Sequence, residues 1–476
     1  MAGEYRQKRW REGERIRVDV NALMAPMIAG GVAEAELQAL AARLGETHAA
    51  LARQRRAGVL PFAELPYAKA DVKRTLALAA EMRGEFDDLV VLGIGGSALG
   101  TRALYEGLRP ADHAWRAAAS GEMRVHVADT VDPISFAGVL GRIDPRRALF
   151  NVISKSGDTP ETMSQFLIVR DLLLRELGAV EYKRHIVVTT DAEQGTLRQI
   201  VNDEGFRDLA VPAGVVGRFS VLSAVSLFPA ACAGIDVAEV LAGAADMDER
   251  CREPDPWRNP ALAHAGALHL SLQKGRGIVV LMPYSAPLRA LGPWFCQLFA
   301  ETLGKARDVR DLVVHRGVTP IAAIGPSDQH AQLQLWVEGP DDKTIVFVRV
   351  ENHGTELTIP KSYEDLDNVA YLGGVGLGEL VNMEQQATEL ALAKAGRPSA
   401  TIICPRVRGF TLGQLFYLLE TEAVILADLL AVNPFDQPGL EEGKQLTYGL
   451  AGRPGVEGRG AEVQRWVAKK EARYVV

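Results

Sequence analysis

The chain has 476 residues, a formal net charge of −7, 47% hydrophobic residues and 24% charged ones. That length holds about three average domains, or two large α/β domains with an appendage, and the composition is that of an ordinary globular protein. A negative balance disfavours broad nucleic-acid binding, which needs basic surface, but it leaves room for a local positive pocket around a phosphorylated metabolite.

Four cysteines, Cys232, Cys251, Cys296 and Cys404, are scattered without a CxxC pair. This fits reduced thiols in a cytoplasmic protein better than a disulfide framework or a zinc site. The N-terminus is densely charged with no apolar h-region, so no secretory signal is expected. The apolar stretch from Val221 to Gly234 carries two Ser and a Pro and is too short to cross a bilayer, so no membrane partner is expected.

Residues 1 to about 60 read as helical, with Val32 to Arg56 rich in Ala and Leu, and they carry no strand signal. From about residue 85 the pattern changes. Asp87 to Gly93, Arg124 to Asp129, Leu149 to Ile153 and His185 to Thr190 read as strands, with helical patterns between them. A charged, Pro-containing segment, Asp246 to Pro256, reads as a connection between units. The alternation then resumes. Strands are expected at Gly277 to Met282, Ile321 to Ile324, Thr344 to Val350 and Ala400 to Cys404, and long helices at Pro287 to Leu303 and Thr411 to Leu430. Strand and helix in alternation imply parallel sheets covered on both faces, with ligands bound beyond the carboxyl ends of the strands.

The most informative stretch is Ser154-Lys155-Ser156-Gly157-Asp158-Thr159-Pro160-Glu161-Thr162, set between a strand and a helix. Four hydroxyls and a Lys at a helix start form a site for a dianionic phosphate, with oriented donors at a positive dipole end. The bland reading is an ordinary helix cap, which needs one hydroxyl and not four. Gly93-Ile94-Gly95-Gly96-Ser97-Ala98 also follows a strand. It matches the looser dinucleotide fingerprint, but the acidic residue closing the next strand, Asp129, is too distant, and Thr101-Arg102 stands where a P-loop needs Lys-Ser/Thr. Small residues there let a ligand approach the backbone, with Ser97 as a donor. The two turns are expected side by side in one sheet.

Four further segments carry candidate groups. Arg218, between apolar runs, is either a snorkelling surface cation or one held in a pocket. Gln297 and Glu301 share a helix face among Trp294, Phe295, Leu298 and Phe299; Glu301 suits a general base, although an exposed stripe is the plainer reading. His330 stands in the turn after an expected strand, where a proton-moving group would be placed. Asn433 to Lys444, with two Pro and two Gly, reads as a structured loop in which Lys444 alone is a surface charge by default.

Taken together these segments resemble the phosphoglucose isomerase family. Gly93 to Gly100, Ser154 to Thr162, Gly217 to Leu222, Gln297 to Lys305, Asp328 to Gly339 and Pro434 to Lys444 occur in the family's order, over residues 85 to 450. The resemblance implies two tandem sugar-isomerase (SIS) domains at residues 71–245 and 257–450, each a three-layer αβα sandwich with a mainly parallel sheet. A helical segment at 1–70 and a tail at 451–476 would flank them. It implies aldose–ketose isomerisation between glucose 6-phosphate and fructose 6-phosphate without metal or cofactor, in a homodimer. By that similarity Ser154, Lys155, Ser156 and Thr159 hold the phosphate, and Ser97 lies near the sugar. Glu301 carries the proton, Arg218 stabilises the enediolate, and His330 and Lys444 assist ring opening, with His330 arriving from the partner subunit. Glu161, Gln297 and Gln437 position sugar hydroxyls or their neighbours. Two residues depart from the family's habit: Val216, where a second Gly is common, and Asp158, a negative charge beside the proposed phosphate site. A non-catalytic SIS regulator would keep the Ser154 turn without needing Glu301, Arg218, His330 and Lys444. An isomerase of broader range would also take mannose 6-phosphate.

Overall fold

The computed structural model describes residues 3–109, 113 and 121–476. They fall into two compact units, Met1–Asn433 and Pro434–Val476.

In the larger unit a short helix at Lys8–Gly13 is followed by β1 (Arg17–Asp19) and the long helix α1 (Glu34–Arg56). A five-stranded sheet follows. It is built from β2 (Asp88–Leu92), β3 (Arg124–Ala128), β4 (Ala148–Ile153), β5 (Ile186–Asp191) and β6 (Arg207–Val211) in the order β3-β2-β4-β5-β6, all parallel. Every residue of β2 and β4 is buried, as expected of strands covered on both faces. One face, through Val90, Phe150, Val152 and Val188, packs on Phe166, Val169 and Leu173 of α2 (Pro160–Glu181). Pro160 opens that helix at a position where its missing N–H costs nothing.

The second sheet is formed by β7 (Ile278–Pro283), β10 (Thr319–Ala322), β11 (Lys343–Val350), β12 (Ser399–Cys404) and β1, in the order β1-β12-β11-β7-β10. All its pairs are parallel except β1 with β12. A small antiparallel ribbon, β8 (Lys305–Arg307) with β9 (Val313–Arg316), precedes β10.

Between the sheets in sequence run α3 (Val237–Cys251) and α4 (Pro260–Gln273), and later α5 (Leu291–Leu303), α6 (Ser327–Glu338) and α7 (Gly409–Leu429). Among the described residues α7 alone is long and apolar enough to cross a membrane, and it is buried in the protein interior. It carries two buried carboxylates. Glu422 bonds to His264 Nδ1 at 2.9 Å, and burial holds the Glu420 carboxyl well above its ordinary range.

Four expectations are corrected. The N-terminal region does contain a strand, β1, whose three residues are too few to show an alternation. The segment Asp246 to Pro256 is not a connection throughout, because α3 runs to Cys251. Its Asp246 and Asp248 are buried because partners satisfy them, most of them far along the chain: Arg15 for the first; Arg55, Tyr67, Tyr417 and the neighbouring Arg252 for the second. The helix expected from Pro287 begins at Leu291, after a single 3₁₀ turn at Ala286–Leu288. The loop expected up to Lys444 gives way at Pro438–Leu440 to a 3₁₀ turn and then to α8 (Glu441–Leu450). In that smaller unit α8 packs on α9 (Glu457–Val467), with Arg459 paired to Glu442. The strand β6 and the β8–β9 ribbon had no counterpart in the sequence reading.

Candidate active site

Strands β2 and β4 are direct parallel neighbours, with Leu92 opposite Val152, so the turns leaving their carboxyl ends lie side by side. The first, Gly95–Ser97, is a 3₁₀ turn. The second turn folds on itself: Gly157 N–H donates to Ser154 Oγ at 3.0 Å, and Ser154 Oγ lies 3.2 Å from Thr159 Oγ1. Ser154 is buried, Lys155, Thr159 and Glu161 are half-buried, and Ser156 is exposed. Lys155 Nζ donates to the Val215 carbonyl at 2.9 Å, tying this turn to the loop that carries Arg218.

That loop abuts the glycine turn. A methyl group placed on Gly96 would lie 2.2 Å from the Gly217 carbonyl carbon and 2.7 Å from Arg218 N, so the two backbones meet where only glycine fits. Arg218 is 2% exposed, which decides between the two readings of the sequence: it is a cation held inside. Its Nε donates to Thr302 Oγ1 at 3.0 Å and its Nη1 to Glu301 Oε2 at 3.1 Å.

Glu301 comes from α5. The helix buries Trp294, Phe295, Leu298 and Phe299, with Trp294 edge-on to Phe416 of α7 at 4.8 Å. Its remaining face turns Gln297 and Glu301 toward Arg218 and the glycine turn. Gln297 Nε2 donates to Glu301 Oε1 at 3.0 Å and sits 2.8 Å from where a side chain on Gly95 would begin. Lys305 Nζ donates to the Glu301 carbonyl at 2.6 Å, closing the helix end. Both carboxylate oxygens of Glu301 are therefore held, one by an amide and one by a guanidinium, and the side chain is 23% exposed. The exposed-stripe reading of Glu301 does not survive. Gln297 Oε1 is buried without a hydrogen-bond partner among the described residues, which leaves an acceptor beside the carboxylate.

The structure thus brings together Ser97, Ser154, Lys155, Thr159, Arg218, Gln297 and Glu301, on four segments far apart in sequence. It also recruits Thr302 and Lys305, which the sequence reading gave no role. The signal was present, since both fall inside the segment Gln297 to Lys305. His330 is exposed in the first turn of α6; beside it Asp328 Oδ2 accepts from Ile324 N at 2.7 Å and Gln329 Oε1 from the Tyr284 hydroxyl at 2.7 Å. Gln437 and Lys444 belong to the smaller unit, where Lys444 Nζ donates to Glu441 Oε1 at 2.9 Å.

A carboxylate fixed between an amide and a buried guanidinium, on a loop and helix that meet the turns at the carboxyl edge of a parallel sheet, is the kind of arrangement suited to proton transfer on a small anionic substrate. The phosphoglucose isomerase family model matches residues 77–455. A glucose-6-phosphate isomerase of Carboxydothermus hydrogenoformans is 39% identical over 97% of this chain and 99% of its own length. One of Rubrobacter xylanophilus is 43% identical over 83% of this chain and 89% of its own. A solved structure of a hypothetical protein from Thermus thermophilus matches with a TM-score of 0.82 at 36% identity, covering 92% of this chain and all of that one. The chain belongs to the phosphoglucose isomerase family.

Proposed function

We propose that the protein interconverts glucose 6-phosphate and fructose 6-phosphate, with Glu301 as the base that moves a proton between C2 and C1. The observation that carries this reading is the Arg218–Glu301–Gln297 constellation facing the glycine turn, tied through Lys155 and Val215 to the Ser154 corner. Family membership and the names of the relatives supply the sugar phosphates.

The chemistry follows from what each group can do. The substrate phosphate takes the corner of Ser154, Lys155, Ser156 and Thr159, where hydroxyls, an ammonium and free N–H groups at a helix start converge. Lys155 gives one of its three donors to Val215 and keeps the others for the anion. Once the ring is open, the Glu301 carboxylate takes the proton from C2 and the electron pair moves to the carbonyl oxygen on C1, giving an enediolate. A proton then passes from the C2 hydroxyl to the C1 oxygen, and as the C2–O bond becomes the carbonyl Glu301 returns the abstracted proton to C1, which completes the ketose.

A proton beside a carbonyl is weakly acidic, so the base needs fixed positive charge opposite it. Arg218 supplies it and cannot lose its proton. In the free protein Arg218 spends that charge on Glu301 itself; the carbonyl oxygen of the arriving substrate competes for it and releases the base. Ser97, Glu161, Gln297 and Gln437 hold sugar hydroxyls or their neighbours, with Gln297 Oε1 open to a hydroxyl donor.

His330 and Lys444 assist ring opening. The exposure of His330 accords with its service to a second subunit, and we infer a homodimer in which each chain lends it to the other. Four free thiols accord with a cytoplasmic setting. The test is a coupled assay with fructose 6-phosphate on the native protein and on Glu301→Gln. Turnover is expected in the first and loss of turnover with sugar-phosphate binding retained in the second. Near-normal turnover in the variant removes Glu301 as the base.

A further inference from the structure

A cavity of about 530 Å³ opens between α1, the 3₁₀ segment Pro61–Tyr67, α3, α4 and α7, and its lining includes none of the residues gathered around Glu301. That volume lies within the range of small-molecule sites. Its floor is apolar, from Leu51, Leu60, Leu262, Val424 and Ile425. Its charges are unequal. Asp248 and Glu64 line it, and both are already engaged, Asp248 by Arg55, Arg252, Tyr67 and Tyr417, and Glu64 by Arg55. Arg56 also lines it, is exposed, and pairs with no carboxylate among the described residues. The Thr421 hydroxyl, on the same wall, is buried without a hydrogen-bond partner among the described residues.

One wall of this cavity is shared with the Arg218 loop. Phe62 lines the cavity, and its ring lies 4.9 Å from that of Phe219, the residue after Arg218. Pro61 packs against Gly214 of the same loop, 3.1 Å from where a side chain there would begin. The Arg218 guanidinium itself lies 5.7 Å from the Phe219 ring centre. A ligand that presses on the Pro61–Tyr67 segment therefore presses on the group that holds Glu301.

We propose that this cavity is a second binding site, for a singly charged anion on an apolar body, and that its occupancy alters turnover through Phe62 and the Arg218 loop. The apolar floor takes the body of the ligand and Arg56 takes its charge. The effect on turnover rests on the role proposed above for Arg218; the binding does not.

The test uses two fluorescent probes of one shape, 8-anilinonaphthalene-1-sulfonate and its uncharged analogue N-phenyl-1-naphthylamine, titrated onto the native protein, Arg56→Glu and Ala52→Trp. Ala52 lines the cavity from α1, and a tryptophan side chain there projects into it and obstructs the apolar floor. One saturable sulfonate site per chain is expected, at least tenfold tighter than for the neutral probe. Arg56→Glu erases the difference, Ala52→Trp removes the site, and saturating fructose 6-phosphate does not displace the probe. With the sulfonate bound, kcat on fructose 6-phosphate changes at least twofold in the native protein and not in Ala52→Trp.

Equal affinity for the two probes overturns the anion assignment. Binding that persists in Ala52→Trp, or is displaced by fructose 6-phosphate, overturns the location. A bound probe with unchanged kcat overturns the link to Arg218. A protein inactive on fructose 6-phosphate would instead sink the isomerase reading and leave the binding result standing.

Discussion

Gly96→Ala isolates the closest backbone approach in the site. The new methyl group would stand 2.2 Å from the Gly217 carbonyl carbon and 2.3 Å from its oxygen, where ordinary contact begins at 3.4 Å. The Arg218 turn must therefore recede by about 1 Å, a displacement that costs on the order of 10²-fold in turnover when it misplaces a catalytic group. Overpacking of this kind also destabilises by about 1–3 kcal/mol. Gly96 does not have a positive φ, so the effect is steric and not conformational. The assay is kcat on fructose 6-phosphate together with the urea midpoint, run beside Gly138→Ala, whose added methyl group meets nothing within 4 Å. The control is expected to keep full activity. If Gly96→Ala keeps kcat within twofold and its midpoint unchanged, the two turns do not form one rigid site and the geometry argued for Arg218 fails.

Thr302→Val removes the acceptor from Arg218 Nε inside a fully buried site and is expected to lower kcat more than it raises KM, with Thr302→Ser restoring activity; leaving a buried donor unpaired costs about 1–3 kcal/mol. Ser156→Asp places a carboxylate in the phosphate corner and is expected to raise KM for fructose 6-phosphate, with unchanged KM moving the corner elsewhere. Hydrogen bonds from Tyr182, Arg170 and Lys183 lower the Glu204 carboxyl from its ordinary 4.5 to about 2. A depressed carboxyl adds stability above its unfolded pKa and loses it as pH falls through the folded one. The stability gap between the native protein and Glu204→Gln, measured by denaturant, is therefore expected in full at pH 7 and to shrink between about pH 4.5 and pH 2; a gap constant over that window refutes the assignment.

The strands around the site were legible because buried parallel strands are continuous apolar runs bounded by glycine and hydroxyl turns, as at Leu89–Gly93 and Leu149–Ser154. The turns following them could be placed side by side for the same reason. Arg218 and Glu301 could not be settled from the residues, because nothing local tells a buried cation from a surface one. Each is explained by the other, and they are 83 residues apart. Asp246 and Asp248 misled in the same way: their charge reads as exposure until Arg15, Arg55 and two tyrosines arrive from elsewhere. Thr302 was hidden behind its neighbour, since a threonine in an apolar helix reads as packing.

The β1–β12 pairing has a consequence for synthesis. Val18 pairs with Ile402, so during synthesis β1 waits for a strand made about 380 residues later. At roughly 5–20 residues per second that wait is on the order of 20–80 s. Throughout it the nascent chain carries an unmatched strand, and the sheet it belongs to is complete only once β12 has been made.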